Sequence, residues 1–324
     1  MSTVGRAAVL SLAAVLLIPS AASVQPQMDP EPMVLLVQQP QAQDVRTITV
    51  LRDGSAERMK LDTYLTQVVL SELPASFAPE AMQAQAVAAR TFACRRQLHG
   101  KHPDADVCTE SACCQACLSK EQLRARLGDD FEAAWDKASA AVQATGNEVL
   151  TYDGTLIEAT YFSCSGGTTE AAAAVWGSDV PYLQSVSSPG EQDAARYQST
   201  ETLSPQAFAA AIRTLDAELA LSGDPSDWVR DITRTDGGGV DTACIGGKAF
   251  TGTQLRRAFG LNSTKFTLQY RNGAFIFDVL GYGHRVGMSQ YGAEAIAELG
   301  FDYRAILRYY YRGAELTQMD DCSA

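Results

Sequence analysis

The sequence predicts an α+β fold in which helices and β-hairpins are segregated rather than strictly alternating. Two observations lead to this prediction. Apolar residues recur at helical spacing in residues 61–72 and 79–97. The dipeptides Asp153-Gly154 and Asn272-Gly273 separate short β-type segments and are typical of hairpin turns. The chain has 324 residues and 46% hydrophobic residues, which is enough for a substantial core.

The N-terminus has the pattern of a secretory signal. Arg6 precedes an apolar run over residues 7–18, and Ala21-Ala22-Ser23 is a plausible cleavage site. We therefore expect a signal peptide over residues 1–23 and an extracytoplasmic protein, secreted or anchored at the outer face of the membrane. The run is short for a span of about 20 residues, but an uncleaved anchor stays open as the alternative. Residues 24–45, rich in Gln, Pro and Met, read as a linker.

The remaining elements follow from periodicity and from turn residues. Pro74 ends the first helix, and Pro79 suits the first turn of the second. Residues 163–190 are rich in Gly and Ser and predict loops. The other predicted elements are a strand at 47–51, helical segments at 120–145, 205–221, 288–299 and 302–311, and hairpins at 147–161 and 265–280.

Net charge excludes one class of partner. The formal charge is −12, and Lys and Arg form no dense run. Proteins that bind nucleic acids need a basic surface to neutralise phosphates. We therefore expect no nucleic acid partner.

Glu72 stands out because it continues the apolar stripe of the first helix. A carboxyl group in such a place loses hydration, which raises its pKa and lets it keep a proton near neutral pH. That is what a general acid needs. The alternative is a structural Glu at a helix end that binds the free amides of the next helix, which would lower its pKa.

Residues 99–117 hold a cluster of His and Cys side chains that suits zinc. Cys114 and Cys117 form a C-x-x-C, and Cys113 lies beside them, so a Cys-rich set of four ligands is one arrangement. The chain has eight cysteines, and an exported protein with an even number can instead form disulfides. Both interpretations remain open from the residues alone.

Three blocks of sequence together resemble the stage II sporulation protein D family. The first runs from Glu72-Leu-Pro-Ala-Ser-Phe to Arg90-Thr-Phe. The second is Tyr161-Phe-Ser-Cys-Ser-Gly-Gly-Thr-Thr-Glu170 with Val175-Trp-Gly177 and Pro181-Tyr-Leu183. The third is Gly281-Tyr-Gly-His-Arg-Val-Gly-Met-Ser-Gln-Tyr-Gly-Ala293. They occur in the family's order and cover roughly residues 45–312.

The resemblance implies an enzyme that remodels the cell wall in sporulation. Similar members are lytic transglycosylases, which cut peptidoglycan glycan between N-acetylmuramic acid and N-acetylglucosamine and leave 1,6-anhydro-muramyl ends. They prefer glycan stripped of stem peptides, and the family's catalytic acid falls on Glu72. The implied partners are glycan strands, a cell-wall amidase and a membrane-anchored sporulation complex. Two alternatives are a non-catalytic enhancer of an N-acetylmuramoyl-L-alanine amidase and a disulfide-stapled wall scaffold.

The resemblance also implies site residues. Arg90 matches an arginine that binds glycan or orients the acid, and Tyr182 matches a site tyrosine. His102, Cys108 and Cys114 resemble a zinc-binding loop of some members, in which the ion would be structural. Gln83 and Gln184 stand where the family often has lysine, which puts substrate affinity in doubt.

The glycine-rich segments are expected to line a peptidoglycan-binding cleft, around which the helices and hairpins are arranged. Their candidate substrate-binding residues are Ser163, Ser165, His284, Gln290 and Tyr291. The predicted catalytic domain spans residues 46–312, with a candidate boundary between two lobes near residue 145. Residues 313–324 are predicted to be a C-terminal tail.

Overall fold

The computed structural model describes residues 46–319. The predicted signal peptide (1–23) and linker (24–45) lie outside the described residues, as do residues 320–324. Within the described range the helices are α1 (Leu61–Glu72), α2 (Pro79–Leu98), α3 (Lys120–Leu127), α4 (Phe131–Ala144), α5 (Ala172–Trp176), α6 (Pro205–Arg213), α7 (Gly252–Phe259), α8 (Gln290–Glu298) and α9 (Tyr303–Tyr310). None of the helices in this range combines the length and apolar character needed to cross a bilayer.

The strands are short and form several small sheets, so the predicted α+β class is confirmed. The strands are β1 (Thr47–Arg52), β2 (Ser55–Lys60), β3 (Val107–Cys108), β4 (Glu148–Tyr152), β5 (Thr155–Leu156), β6 (Tyr161–Phe162), β7 (Gly167–Thr168), β8 (Ser187–Ser188), β9 (Gln198–Leu203), β10 (Val229–Arg230), β11 (Thr242–Ile245), β12 (Lys248–Thr251), β13 (Phe266–Arg271), β14 (Ala274–Leu280), β15 (Met288–Ser289) and β16 (Glu315–Gln318). The sheet orders are β2-β1-β3, β16-β4-β5, β13-β14-β9, β10-β11-β12, β15-β6 and β7-β8.

Two-residue turns close the predicted hairpins. Asp153-Gly154 joins β4 to β5 and Asn272-Gly273 joins β13 to β14, with positive φ at both positions of each turn. Asp53-Gly54 closes β1–β2 in the same way. Positive φ at two successive residues matches the right-handed twist of the strands, which is why Asn-Gly and Asp-Gly are favoured there.

The first core surrounds α2, which is buried along most of its length. Its alanines, among them Ala84 and Ala88, are fully buried. Helices α1, α4, α8 and α9 and strand β4 all contact α2. Small side chains let these backbones approach closely, so the alanine-rich sequence of α2 makes it the central helix of the domain.

A second, aromatic core lies between α6, α7 and the sheet β13-β14-β9. Phe208 of α6 stacks on Phe275 of β14 with ring centroids 3.9 Å apart, and Phe259 of α7 stacks on Phe208 at 4.8 Å. The buried residues of this core all fall within 208–279. It packs its own apolar faces and forms a second lobe.

These cores correct the predicted boundaries. Residues on both sides of position 145, in α4 and β4, belong to the first core, so no lobe boundary lies there. The second lobe is instead a segment between β8 and β15. Residues 315–318, predicted to lie in a tail, form β16, which pairs with β4. Leu316 packs against the first core, which explains why this strand stays with the domain.

Candidate active site

A pocket of about 1040 Å³ contains Glu72 and receives residues from both lobes. Its volume lies at the upper end of the range for ligand sites. The first lobe contributes the end of α1, part of α2, the segments 111–116 and 159–163, Val175, Trp176 and Gln290. The second lobe contributes Thr253, Arg256, Arg257 and residues 260–262, and Tyr282, Gly283 and His284 complete the wall.

Glu72 is the last residue of α1 and is half-buried. Its Oε1 accepts a hydrogen bond from the backbone N–H of Ala116 at 2.9 Å, and its Oε2 accepts one from Nε2 of Gln290 at 3.2 Å. Burial raises the pKa of Glu72, and the two hydrogen bonds oppose this rise without cancelling it. The carboxyl group is therefore tuned to hold a proton at higher pH than an exposed glutamate.

Gln290 reaches Glu72 because β15 positions the start of α8. Met288 and Ser289 pair with Tyr161 and Phe162 of β6 in parallel. Ser289 then caps α8, its Oγ accepting from the N–H of Gly292 at 3.2 Å. Gln290, the first residue of the helix, is thereby placed over the carboxyl group.

A chain of hydrogen bonds fixes the segment that carries Ala116, whose backbone N–H donates to Glu72. The hydroxyl of Tyr64 donates to Oε1 of Gln115 at 2.8 Å, and Nε2 of Gln115 donates to the hydroxyl of Tyr161 at 2.8 Å. Oγ of Ser71 accepts from the N–H of Leu118 at 2.8 Å. The segment that carries the Ala116 amide is therefore tied to α1 and β6.

The predicted metal residues come together a few residues before Ala116. The donor atoms of His102, Cys108, Cys113 and Cys114 all lie within 4.8 Å of one another. Nε2 of His102 is 3.4 Å from Sγ of Cys114 and 3.7 Å from Sγ of Cys113. Three thiolates and one imidazole are a zinc-ligand set that closes a tetrahedron, so the residues present fit the ion. Cys113 is the fourth donor, which the three predicted residues left open.

The disulfide alternative finds no partner pairs among residues 46–319. Cys108, Cys113, Cys114, Cys117, Cys164 and Cys244 form no disulfide there. Cys117 lies outside the metal cluster, and its Sγ donates to Oε1 of Gln67 at 3.5 Å. The C-x-x-C of the sequence therefore does not act as a unit in the structure.

His284 and Ser163, which are predicted to bind substrate, lie on the pocket wall. Nδ1 of His284 accepts from the N–H of Val286 at 3.1 Å, and the ring lies 5.5 Å from that of Trp176. Burial, with a smaller contribution from the positive charge of Arg256, lowers the pKa of His284 to about 4. The imidazole is therefore neutral at pH 7 and does not serve as a proton donor of the imidazolium type.

Arg90 does not line the pocket, which corrects its predicted role in binding glycan. The side chain is 1% exposed. Its guanidinium donates to the carbonyl oxygens of Val142 and Glu148, both at 3.0 Å, and to Oγ1 of Thr145 at 3.1 Å. The family's arginine thus ties α2 to the end of α4 and the start of β4, because these carbonyl groups need a donor inside the core.

Three further candidates, Tyr182, Ser165 and Tyr291, do not line the pocket. The hydroxyl of Tyr182 accepts from the N–H of Glu158 at 3.1 Å. Oγ of buried Ser165 donates to Oε2 of Glu191 at 2.8 Å. The Tyr291 ring packs edge-on against Phe77 at 5.1 Å. Their polar atoms or rings already bond to or pack against other residues of the protein. A sequence motif does not show such contacts.

Three wall residues were not singled out from the sequence. Trp176 lines the pocket and is 46% exposed. It belongs to a motif that carried the family resemblance, and that motif was the one available signal. Arg256 and Arg257 gave no signal, because their position depends on how the second lobe packs.

Comparisons with known proteins agree with the three sequence blocks. A family model described as Stage II sporulation protein matches residues 53–152. A Bacillus subtilis (strain 168) protein named Stage II sporulation protein D is 37% identical over 270 residues, covering 82% of this chain and 77% of that protein. One of the same name from Bacillus amyloliquefaciens is 38% identical over 270 residues, covering 82% and 76%.

The chain belongs to the stage II sporulation protein D family. This family member is also similar to a Bacillus subtilis protein named Amidase enhancer, with 29% identity over 316 residues, covering 78% of this chain and 40% of that protein. The residues matched by the family model include α1, α2 and the His/Cys cluster, and therefore Glu72. The wall built by Arg256 and Arg257 lies beyond them.

Proposed function

We propose that the protein is an exported peptidoglycan lytic transglycosylase that acts in cell-wall remodelling during sporulation. The observation that carries the proposal is that Glu72 is the sole carboxyl group among the described residues lining the pocket. Hydrolysis by the usual route needs two carboxyl groups, one as acid and one to activate water or attack the sugar. A single buried acid suits a reaction in which the substrate supplies its own nucleophile.

In this reaction Glu72 first donates a proton and then takes one back, so the carboxyl group ends in its starting form. The protonated carboxyl group donates to the glycosidic oxygen as the bond to C1 of N-acetylmuramic acid breaks. The 6-hydroxyl of the same sugar attacks C1, and its proton passes to the Glu72 carboxylate. The products are a 1,6-anhydro-muramyl end and a free 4-hydroxyl on N-acetylglucosamine, and no water is consumed. Ala116 and Gln290 stabilise the carboxylate between the two transfers.

The pocket wall suits a sugar chain. Trp176 offers an exposed ring face, and aromatic faces pack on the apolar faces of sugar rings. The neutral imidazole of His284 lies on the same wall, held by hydrogen bonds with the backbone of Val286 and Tyr161. The partners that follow are glycan strands, with a cell-wall amidase upstream and a membrane-anchored sporulation complex as the setting. Export and an extracytoplasmic location rest on the N-terminal pattern of the sequence.

We further propose that His102, Cys108, Cys113 and Cys114 hold a structural zinc ion. The ion would supply cross-linking of the segment 102–114 and no chemistry on the substrate. Because Ala116 follows this segment by two residues, the cross-link would stabilise the loop that donates to Glu72.

A second candidate function is a wall-binding enhancer of an amidase. The similarity to a protein named Amidase enhancer favours it. In that case the pocket binds glycan and releases no anhydro ends, while an added N-acetylmuramoyl-L-alanine amidase works faster.

The deciding experiment incubates purified protein with amidase-treated and with intact peptidoglycan and analyses the products by mass spectrometry. We expect anhydro-muramyl ends, more from the amidase-treated glycan, and none from Glu72→Gln with an unchanged fold by circular dichroism. Reducing ends in place of anhydro ends would indicate hydrolysis and overturn the mechanism. Acceleration of a separate amidase by both wild type and Glu72→Gln, without anhydro ends, would favour the enhancer.

A further inference from the structure

Helix α7 of the second lobe presents two arginines to the wall of the pocket that holds Glu72. Leu255 and Phe259 are buried in the aromatic core and fix the helix. Arg256 and Arg257 lie in its last turn and line the pocket. Nε of Arg256 donates to the carbonyl oxygen of Leu261 at 3.2 Å, which orients its guanidinium.

The charge of this wall is unusual for the chain. The formal net charge is −12, yet Arg256 and Arg257 are the cations among the described lining residues, and Glu72 is the anion. No ion pair joins either arginine to a carboxylate within the part of the chain that the structure describes. The pKa of Glu72 is shifted by burial and by the hydrogen bonds from Ala116 and Gln290. The two guanidinium groups are thus available to an anionic ligand.

We propose that Arg256 and Arg257 recognise the free carboxylate of the muramic acid lactyl group and thereby select glycan stripped of its stem peptides. The inference rests on the proposed function. An amidase cuts the bond between the lactyl group and the first amino acid of the stem. This cut turns a neutral amide into a carboxylate on every sugar that loses its peptide. Guanidinium groups match a carboxylate with paired N–H donors, which an amide at the same place does not satisfy.

The neighbours of the arginines suit this assignment. The positive charge of Arg256 is close enough to His284 to lower the pKa of its imidazole, and the His284 ring lies 5.5 Å from Trp176. A ring face for the sugar, a neutral polar side chain and a cation therefore follow one another along one wall. The lactyl group projects from the edge of the muramic acid ring, so a sugar stacked on Trp176 brings its carboxylate toward the cations.

Binding is measured in the Glu72→Gln background, so that the glycan is not cut and the test does not depend on cleavage. The probes are glycan strands of one length in three forms: amidase-treated, the same strands with the lactyl carboxylate converted to a methylamide, and strands with intact stem peptides. Isothermal titration calorimetry at low salt gives the Kd of each. We expect the carboxylate form to bind about tenfold more tightly than the methylamide form, as for a charge-assisted hydrogen bond.

Substitutions assign the preference to the arginines. Arg256→Gln with Arg257→Gln should reduce the preference to near one, whereas the double substitution to lysine should keep part of it. Arg271→Gln, at an exposed cation of the same lobe outside the pocket, is the matched control and should leave the preference unchanged. If the double variant is not folded by circular dichroism, Arg257→Gln alone is used, because that side chain is exposed and should still lower the preference at least twofold.

Two results with the glycan probes would overturn the inference. One is equal binding of the carboxylate and methylamide forms. The other is a preference that survives the loss of both arginines. Tighter arginine-dependent binding of a poly(glycerol phosphate) probe than of amidase-treated glycan would assign the wall to a phosphate polymer and also reject the proposal. Failure of the proposed function is recognised separately: wild type would leave no anhydro ends while the arginine-dependent preference persists.

Discussion

At the scale of single residues, the pKa of Glu72 results from opposing effects. Loss of water favours the protonated form, while the Ala116 and Gln290 donors favour the carboxylate. An acid that first gives and then takes a proton needs both forms to be accessible, so this balance suits its proposed role. Of the two donors, only that of Gln290 can be removed by substitution, because it is a side-chain amide, whereas Ala116 donates through its backbone.

We predict that Gln290→Met shifts the alkaline limb of the pH–rate profile to higher pH. Removing a donor to the carboxylate destabilises the charged form, so the pKa of Glu72 rises and the acid stays protonated further into the alkaline range. The measurement is the rate of anhydro-end formation from pH 5 to 9. Gln143→Met, on the exposed face of α4, serves as the control. A limb that moves to lower pH would contradict the assignment.

We predict that Glu72→Gln stabilises the protein relative to wild type, increasingly so as pH rises above 4.5, the ordinary pKa of the group. Below this pH the carboxyl group is protonated both folded and unfolded and contributes nothing. Above it the unfolded chain ionises first, so wild type loses up to about 1.4 kcal/mol per pH unit until the raised folded pKa is passed. Urea unfolding of both proteins at pH 4, 5.5 and 7 measures the difference. A difference that shrinks with rising pH would show that the folded pKa is lowered.

At the scale of elements, the segment 102–118 links the His/Cys cluster to Glu72. It contributes the four clustered donors, then the Gln115 bridge between Tyr64 and Tyr161, then the Ala116 amide. Between Pro103 and Ser119 its regular structure is limited to β3 and short turns. A segment of this kind depends on cross-links for its order, since it has few backbone ladders of its own.

We predict that the purified protein binds about one zinc ion per chain and that Cys113→Ser weakens the binding at least tenfold. Loss of one thiolate opens the tetrahedron and removes a charged ligand. Competition with a chromophoric chelator gives the affinity, and elemental analysis gives the stoichiometry. Cys244→Ser, in β11 and outside the cluster, should not change either value. Disulfides within 108–114 by mass spectrometry, with no bound metal, would reject the zinc assignment.

At the scale of the whole molecule, a buried ion pair joins the two lobes. Glu170 and Arg285 meet at 3.0 Å with 1% and 0% exposure of their side chains. Oε1 of Glu170 also accepts from Thr235 and from the N–H of Gly239, and Arg285 donates to the carbonyl oxygen of Gly237. A Cβ on Gly239 would lie 2.3 Å from Oε1 of Glu170, so glycine is required for this contact. We therefore expect the position of the second lobe, including the pocket wall on α7, to depend on this pair.

We predict that Glu170→Ala lowers the free energy of unfolding by about 3–5 kcal/mol, because it leaves the Arg285 charge buried without its partner. Glycan binding should weaken as the second lobe loses its fixed position. Chemical denaturation and calorimetry measure the two effects. Glu201→Ala, on exposed strand β9, should change stability by less than about 0.5 kcal/mol. A loss of similar size in both variants would show that the pair does not hold the lobes.

The fold class, the hairpin turns, the ends of α1 and α2 and the place of Glu72 on its helix could all be predicted from the amino-acid sequence. These features depend on local chemistry: proline blocks helix propagation, Asn-Gly and Asp-Gly accept positive φ, and an acid on an apolar stripe is read from spacing. The three sequence blocks also sufficed to recognise the family.

Tertiary structure alone decided which side chains share the pocket. Arg90 and Tyr182 lie in recognisable motifs, yet the structure engages them in packing, whereas Arg256 and Arg257 carry no motif and line the wall. Cys113 lies in the cluster with His102, Cys108 and Cys114, and Cys117 does not, although both lie within three residues of Cys114 in the sequence. The direction of a long side chain depends on how elements that are far apart in the sequence pack together. The spacing of residues along the chain indicates only the helix or strand on which each one lies.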